Sequence, residues 1–158
     1  MKTLIVFYSR TGITKKIAEA LAQKLSADIE ELKDTVSRSG IRGYFSAGRD
    51  ATKRILTKLE QIQKNPEDYD LIIMGTPIWS WNMSPAIRTY ATENKDKFKQ
   101  VAFFCTMGGS GDKRACAELE QIIGKKTVAQ LGLKTTEVNS GKFSEALEAF
   151  STNISQNP

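Results

Sequence analysis

Short apolar runs alternate five times along the chain with segments of helical periodicity. The apolar runs predict strands near residues 4–8, 27–32, 71–74, 101–105 and 127–133. Runs this apolar are typical of strands that are buried on both faces of a parallel sheet. The alternation therefore predicts an α/β fold, a doubly wound five-stranded parallel sheet with helices on both faces.

Apolar residues three or four positions apart predict the helices between these strands. The first helix starts at Ile13, and a short one follows Pro85. A second helix is predicted over about 50–63, with Ile55, Leu59 and Ile62 facing inward. Two more are predicted around residues 119–123 and from about Lys142 onward. No linker or repeat interrupts this order, so residues 1–158 are predicted to form a single domain, with a long loop at about 33–49.

The composition is that of an ordinary globular protein, with 40% hydrophobic and 26% charged residues. No apolar run approaches the roughly 20 residues that span a bilayer, so no membrane association is predicted. The first apolar run stops at Tyr8 with no cleavage site after it, which favours a first strand over a signal peptide. The cytoplasm is therefore the expected location.

The sequence contains no histidine and two cysteines, Cys105 and Cys116. The usual general base, the Ser-His and Cys-His nucleophile pairs and the commonest zinc ligand are therefore missing. The cysteine spacing matches neither a CxxC motif nor a zinc knuckle, which favours buried, unreactive thiols. No catalytic or metal-binding residue is predicted, and a cofactor is expected to carry the chemistry.

Positive charge is concentrated in residues 33–64. This segment holds eight basic residues against three acidic ones, and the excess equals the net charge of +5. The basic residues are Lys33, Arg38, Arg42, Arg49, Lys53, Arg54, Lys58 and Lys64. Such a segment can attract nucleic acid, an acidic partner or a phosphorylated ligand, and a solvated surface is an equally good explanation. No motif supports nucleic-acid binding.

Loops after strands one, three and four are the expected ligand positions, because doubly wound sheets bind ligands where the strand order reverses. After strand one the chain reads Ser9-Arg10-Thr11-Gly12-Ile13-Thr14. Hydroxyls, a glycine and a cation at a helix start favour a phosphate, because unpaired N–H groups and the positive dipole end lie there. Helix capping by a single Ser or Thr is the alternative.

The other two loops carry aromatic and glycine residues. The loop after strand three, residues 75–85, contains Trp79 and Trp81, which are costly to expose unless they pack on a flat ligand or on the core. The loop after strand four holds three glycines in four positions, which suits the polar edge of a planar heterocycle or a plain flexible turn. It reads Thr106-Met107-Gly108-Gly109-Ser110-Gly111-Asp112.

Together the three loops resemble those of the flavodoxin family, and the S-x-T-G-x-T run at residues 9–14 is similar to the family's FMN phosphate loop. The resemblance covers essentially the whole chain. It implies that residues 9–14 hold the phosphate, that Thr76 and Pro77 lie near the ribityl chain, and that Trp79 covers one isoalloxazine face. It further places Thr106, Met107, Gly108, Gly109 and Gly111 at the ring edge, with Ile78 and Asp112 in the binding set.

Three features depart from well-known flavodoxins. This chain is basic whereas they are strongly acidic, the 33–49 stretch has no counterpart in them, and no glycine follows Trp79. The usual docking mode and redox potentials of the family therefore do not carry over.

The resemblance implies an electron carrier that works through bound FMN. Its partner would be a redox protein, an acidic one if the basic segment is a docking surface, or NAD(P)H. The alternative is an FMN-dependent NAD(P)H or quinone reductase on the same fold. Its pocket would be shaped by Tyr44, Phe45 and the basic residues 38–54.

Overall fold

A five-stranded parallel sheet forms the centre of the computed structural model, which describes residues 1–35, 49–50 and 52–156. The strands are β1 (Thr3–Phe7), β2 (Asp28–Glu31), β3 (Leu71–Trp79), β5 (Gln100–Met107) and β6 (Gln130–Lys134). They lie in the order β2-β1-β3-β5-β6, and a two-residue strand, β4 (Asn82–Met83), pairs antiparallel with the end of β3. The order reverses direction between β1 and β3, so the predicted doubly wound sheet is confirmed.

Helices cover both faces of the sheet. They are α1 (Ile13–Leu25), α2 (Pro85–Asn94), α3 (Asp112–Ile123), α4 (Thr135–Asn139) and α5 (Ser144–Gln156), with single 3₁₀ turns at Pro66–Asp68 and Lys95–Lys97. One core cluster lies under α1, α4 and α5, and the other lies under α2 and α3. No helix among the described residues is long and apolar enough to cross a membrane.

The continuous apolar runs follow from burial on both faces. In β1, Leu4 and Val6 point into the cluster under α2 and α3, whereas Ile5 and Phe7 point into the cluster under α1 and α5. All four are at most 1% exposed. Burying each such side chain stabilises the fold by roughly 1.5–3 kcal/mol, so every position of a central strand favours an apolar residue.

A glycine in the middle of β3 marks a close approach between side chain and backbone. Gly75 pairs with Phe104 of β5, and a Cβ added at Gly75 would lie 2.1 Å from Cζ of that ring. The Phe104 ring occupies the space that any larger residue at position 75 would need.

The predicted second helix over 50–63 is wrong for most of its length. Helical conformation in the described part of this segment is confined to residues 49, 50 and 52, and residues 55–63 are irregular or extended. Leu59 and Ile62 do pack on the core, but Ile55 is 42% exposed. Most of the predicted 33–49 loop, including Arg38, Arg42, Tyr44 and Phe45, lies outside the described residues.

Long-range hydrogen bonds explain why residues 57–63 are not helical. The N–H of Glu60 donates to the carbonyl of Lys33, and the N–H of Thr35 donates to the carbonyl of Lys58. The N–H of Gln63 donates to the carboxylate of Glu30 on β2. These bonds satisfy backbone groups that a helix would have satisfied internally, so tertiary contacts override the local pattern.

Candidate cofactor-binding site

The three loops singled out in the sequence meet at one edge of the sheet, beyond the carboxyl ends of β1, β3 and β5. A hydrogen bond between two buried side chains ties the first loop to β5, with 2.8 Å between Oγ1 of Thr14 and Oγ1 of Thr106. A second contact ties the turn after β3 to the last loop, where the indole N–H of Trp81 donates to Oγ of Ser110 over 3.2 Å. The sequence prediction therefore identified segments that are neighbours in space.

The start of α1 is a glycine-capped helix N-terminus. Gly12 is the N-cap with a φ of +88°, which favours glycine, and it offers no side-chain cap. Ser9 partly replaces that cap, because its Oγ accepts from the N–H groups of Gly12 at 3.1 Å and of Lys15 at 3.2 Å. The capping alternative is thus correct in part, but two amides of the first turn remain to be considered.

Those amides belong to Ile13 and Thr14, which precede the first N–H that a helix can satisfy internally. No acidic residue lies in the first turn of α1, and Thr11 is exposed beside it. Helix N-termini attract anions through such amides and the positive dipole end. The donor set therefore fits a phosphate group, and no carboxylate in the first turn of the helix opposes it.

Lysine side chains at the same end of α1 are held by neighbouring elements. Nζ of Lys15 lies 2.8 Å from a carboxylate oxygen of Glu31 at the end of β2, and Nζ of Lys16 donates to the carbonyl of Val138 in α4. The hydrogen bond and the charge of Glu31 raise the pKa of Lys15. These contacts attach the first turn of α1 to the end of β2 and to α4.

The side chain of Thr76 in β3 makes structural hydrogen bonds. It is fully buried; its Oγ1 accepts from the N–H of Ser84 at 2.9 Å and lies 2.9 Å from the carbonyl oxygen of Pro77. The side chain thereby joins β3 to the start of α2, where Ser84 is the N-cap. The placement of Thr76 and Pro77 near a ribityl chain stays a prediction.

The tryptophan loop is a tight hairpin that the sequence reading missed. β3 continues through Trp79, and the two residues Ser80 and Trp81, with φ of +49° and +62°, turn the chain into β4. Positive φ at both positions is the conformation of a type I′ hairpin, which usually recruits Asn and Gly. Non-glycine residues there are strained by about 1–3 kcal/mol each. Such strain is commonly found at functional sites.

The two tryptophans differ in environment. Trp79 is half-buried, packs on the core cluster under α2 and α3, and meets the ring of Tyr8 edge-on with centroids 5.6 Å apart. Trp81 is 60% exposed. The core-packing alternative is therefore correct in part for Trp79. Its predicted stacking on a flavin stays a prediction.

The glycine loop combines an open part with a tightly packed one. Gly108 and Gly109 are exposed, and a Cβ added at either would meet no atom within 4 Å. Gly111 has a φ of +118°, and its added Cβ would lie 2.7 Å from Cγ2 of Ile78 and 3.0 Å from Cα of Trp81. The hairpin thus rests on Gly111, while the backbone at Gly108 and Gly109 faces open space that a planar ligand can enter.

Three further residues of the predicted binding set lie in or next to the glycine loop and the first loop. The carbonyl of Met107, a buried residue, accepts from Oγ1 of Thr135 at 3.2 Å. Asp112 is the first residue of α3 and is half-buried. Arg10 is half-buried in the first loop.

Asn82 was missed by the sequence reading. It pairs with Trp79 in the hairpin, is 1% exposed, and donates from Nδ2 to the carbonyl of Ser80 at 2.5 Å, which braces the strained turn. Its Oδ1 is buried without a hydrogen-bond partner in the described part of the chain. No local signal marked it, because Ser-Trp is not a recognised hairpin sequence.

The two cysteines lie in the core and form no disulfide with each other. Cys105 and Cys116 are both buried, and burial raises the pKa of each thiol. The predicted burial of the thiols is confirmed, and a raised pKa keeps a thiol in its weakly nucleophilic form.

The glycine-capped helix start, the buried hydroxyl pair and the open glycine loop lie together at the switch point of a doubly wound sheet, where proteins of this class bind ligands. Their donor groups and open space fit a phosphorylated planar cofactor. The family model described as flavodoxin matches residues 2–150, and the chain belongs to the flavodoxin family. No curated protein matches the sequence.

Solved structures agree with this assignment. A flavoprotein from Lactobacillus acidophilus NCFM, crystallised in complex with FMN, is 25% identical, with a TM-score of 0.69 over 88% of this chain and 97% of that one. The apo form of the flavoprotein from the same organism, solved by NMR, is 26% identical with a TM-score of 0.64, over 87% and 95% of the two chains. Oxidised flavodoxin 1 from Bacillus cereus shares the fold at 16% identity, with a TM-score of 0.55 over 98% of both chains.

Proposed function

We propose that the protein binds FMN and serves as an electron carrier through it. The observation that supports this most directly is the start of α1, where Gly12 caps the helix and the first turn contains no acidic residue. The Lactobacillus acidophilus flavoprotein, 25% identical, is solved in complex with FMN. The geometry of this loop and the FMN bound by that relative therefore support the same ligand.

Each loop has a distinct role in this proposal. Amides and hydroxyls of residues 9–14 hold the terminal phosphate, and Trp79 covers one face of the isoalloxazine. The exposed backbone of Gly108 and Gly109 lies at the polar edge of the ring. Bound FMN supplies one- and two-electron redox chemistry; the chain positions it and shields part of it from water.

The carrier is favoured over a reductase because the chain offers little for a dedicated substrate site. The sequence contains no histidine, and both thiols are buried with raised pKa values. We also propose a cytoplasmic location and a single domain over residues 1–158.

Ligand titration tests the cofactor. Purified protein should take up FMN with a visible absorption band and prefer it to FAD and to riboflavin, because the loop encloses a terminal phosphate. Thr11→Val removes an exposed hydroxyl donor and nearly keeps shape. A hydrogen bond to a charged group contributes about 1.5–3 kcal/mol, so FMN affinity should fall about tenfold or more while riboflavin affinity changes little. A protein that binds no FMN would refute the proposal. Equal losses of affinity for FMN and riboflavin would show that the loop does not hold the phosphate.

Anaerobic mixing of the FMN-loaded protein with NADPH or NADH tests the carrier. No bleaching of the flavin absorbance is expected within seconds. Bleaching within milliseconds to seconds would show a reductase instead.

A further inference from the structure

Exposed apolar side chains occur in the hairpin and in the segment that crosses α2 and α3. Among the described residues, four large hydrophobic side chains are exposed: Met1 at the amino terminus, Ile55 at 42%, Leu56 at 49% and Trp81 at 60%. Trp81 lies at the edge of the candidate cofactor site, and Ile55 and Leu56 follow each other in the basic segment. Large apolar side chains that stay exposed together commonly mark an interaction surface.

Two contacts fix where Ile55 and Leu56 lie. The residue before them, Arg54, places Nε 3.3 Å from a carboxylate oxygen of Glu118 on α3. The residue after them, Thr57, donates its N–H to Oγ1 of Thr89 on α2 at 2.9 Å. The pair therefore lies on the outside of α2 and α3 and spans the gap between them.

The same contacts give this surface its charge. Glu118 is buried and shared by two guanidinium groups, since Arg88, with a side chain only 4% exposed, also lies 3.2 Å away. Two guanidinium groups thus face one carboxylate, and the side chain of Arg54 is 57% exposed. Lys53 and Lys58, on either side of the apolar pair, are exposed as well.

The two helices under this surface begin at the candidate cofactor site. α2 begins directly after the hairpin, and α3 begins next to Gly111, whose added Cβ would lie 3.0 Å from Cα of Trp81. Lys113 and Arg114 in the first turn of α3 are exposed, with Asp112 the one acidic residue of that turn. We call Ile55, Leu56 and Trp81, with the cations Lys53, Arg54 and Lys58, the α2–α3 surface.

We propose that the α2–α3 surface docks an acidic redox protein, which exchanges electrons with the bound cofactor past Trp81; this rests on the proposed function. An apolar centre with charges around it is the usual composition of a protein–protein interface. The cations steer an acidic partner to the site and raise the association rate. A nucleotide or a nucleic acid would use the cations but not the exposed aliphatic pair, so a protein fits the surface best.

The test uses the FMN-loaded protein and, as probe, a reduced plant-type [2Fe–2S] ferredoxin, which is acidic. One electron passes from each ferredoxin cluster to the bound FMN, so ferredoxin is oxidised as FMN is reduced, and stopped-flow absorbance follows both. Charge reversal with Lys53→Glu and Lys58→Glu should slow the second-order rate at least fivefold at low salt. The difference should fall below twofold near 1 M salt, where the Debye length is about 3 Å rather than about 10 Å at 0.1 M.

Two further double variants complete the design. Lys95→Glu with Lys142→Glu changes the net charge equally, at the far end of α2 and between α4 and α5, and should alter the rate less than twofold. Ile55→Ser with Leu56→Ser should slow the reaction at all salt concentrations, because it removes apolar contact and not charge. FMN affinity should stay within twofold of wild type in all three.

The outcomes separate this proposal from the one on which it rests. Failure of the wild-type protein to bind FMN refutes the proposed function. If FMN binds but the two charge-reversal pairs slow the reaction equally, or the wild-type rate is undetectable or independent of salt, the docking surface alone is refuted. Flavin bleaching by NADPH that Lys53→Glu with Lys58→Glu abolishes would assign the cations to a nucleotide instead.

Discussion

The hydroxyl pair of Thr14 and Thr106 makes a quantitative prediction about stability. The two residues are 1% and 3% exposed, and their Oγ1 atoms lie 2.8 Å apart. Replacing either by valine keeps the shape but leaves the other hydroxyl buried without its partner, which costs about 1–3 kcal/mol. Replacing both removes the unsatisfied group, and such pairs of changes are often nearly neutral. The double variant should therefore be more stable than either single variant.

Urea unfolding of the FMN-free protein measures this double-mutant cycle. Each single variant should also lower Tm by roughly 2–12 °C, since 1 kcal/mol corresponds to about 2–4 °C at this size. Thr11→Val is the matched control: Thr11 is exposed in the same loop, so its replacement should change the free energy of unfolding by less than about 0.5 kcal/mol.

An additive cycle would contradict the reasoning. If the double variant loses the sum of the two single losses, the hydroxyls act independently, and the bond does not join the first loop to β5. Loss of stability in Thr11→Val of the same size would equally show that the effect comes from valine in this loop.

Three more predictions concern the aromatic residues and the central sheet. Trp79→Ala should weaken FMN binding and restore the fluorescence of bound flavin more than Trp81→Ala does. A larger effect of Trp81→Ala in the fluorescence titration would show that Trp81, and not Trp79, stacks on the flavin. Gly75→Ala should lower the free energy of unfolding by about 1–3 kcal/mol or more, measured in urea, because its Cβ meets the Phe104 ring; an unchanged midpoint would contradict this close contact. Burial, as the larger cause, and a hydrogen bond to the carboxylate of Asp28 raise the pKa of Tyr69 to about 12. The stability that the neutral phenol contributes is therefore fully present below pH 10 and is lost between pH 10 and 12. Tyr69→Phe should therefore lose less stability than wild type over that range, and parallel pH profiles would contradict the assignment.

Most of the sheet could be predicted from sequence because its strands are buried on both faces. Leu4 to Phe7 alternate between two core clusters, so every position selects an apolar residue and the run is conspicuous. The same logic fails for residues 55–62. Ile55, Leu59 and Ile62 have helical spacing, yet the backbone there bonds to Lys33, Glu30 and Thr89, contacts that local pattern cannot reveal.

The loops that form the candidate site could be predicted from sequence, but the contacts between these loops could not. Hydroxyls and glycines at strand ends identified residues 9–14 and 106–112 because α/β proteins bind ligands there. The bond from Thr14 to Thr106 joins residues 92 positions apart, so no short-range signal encodes it. The hairpin at Ser80 and Trp81 was missed for another reason, since its strained conformation is held by tertiary contacts rather than by residues that prefer it.

The extended course of residues 58–63 has a consequence for behaviour at high concentration. β2 is an outer strand of the sheet, and the chain just beyond it, at Asp34, pairs antiparallel with Leu59. Backbone groups on an uncovered outer strand are a template for pairing with another molecule and thus for aggregation. Here a piece of the same chain covers part of that border and brings Lys58 and Glu60 with it. We therefore expect the segment that supplies the basic residues to limit association with a second copy at this end of the outer strand.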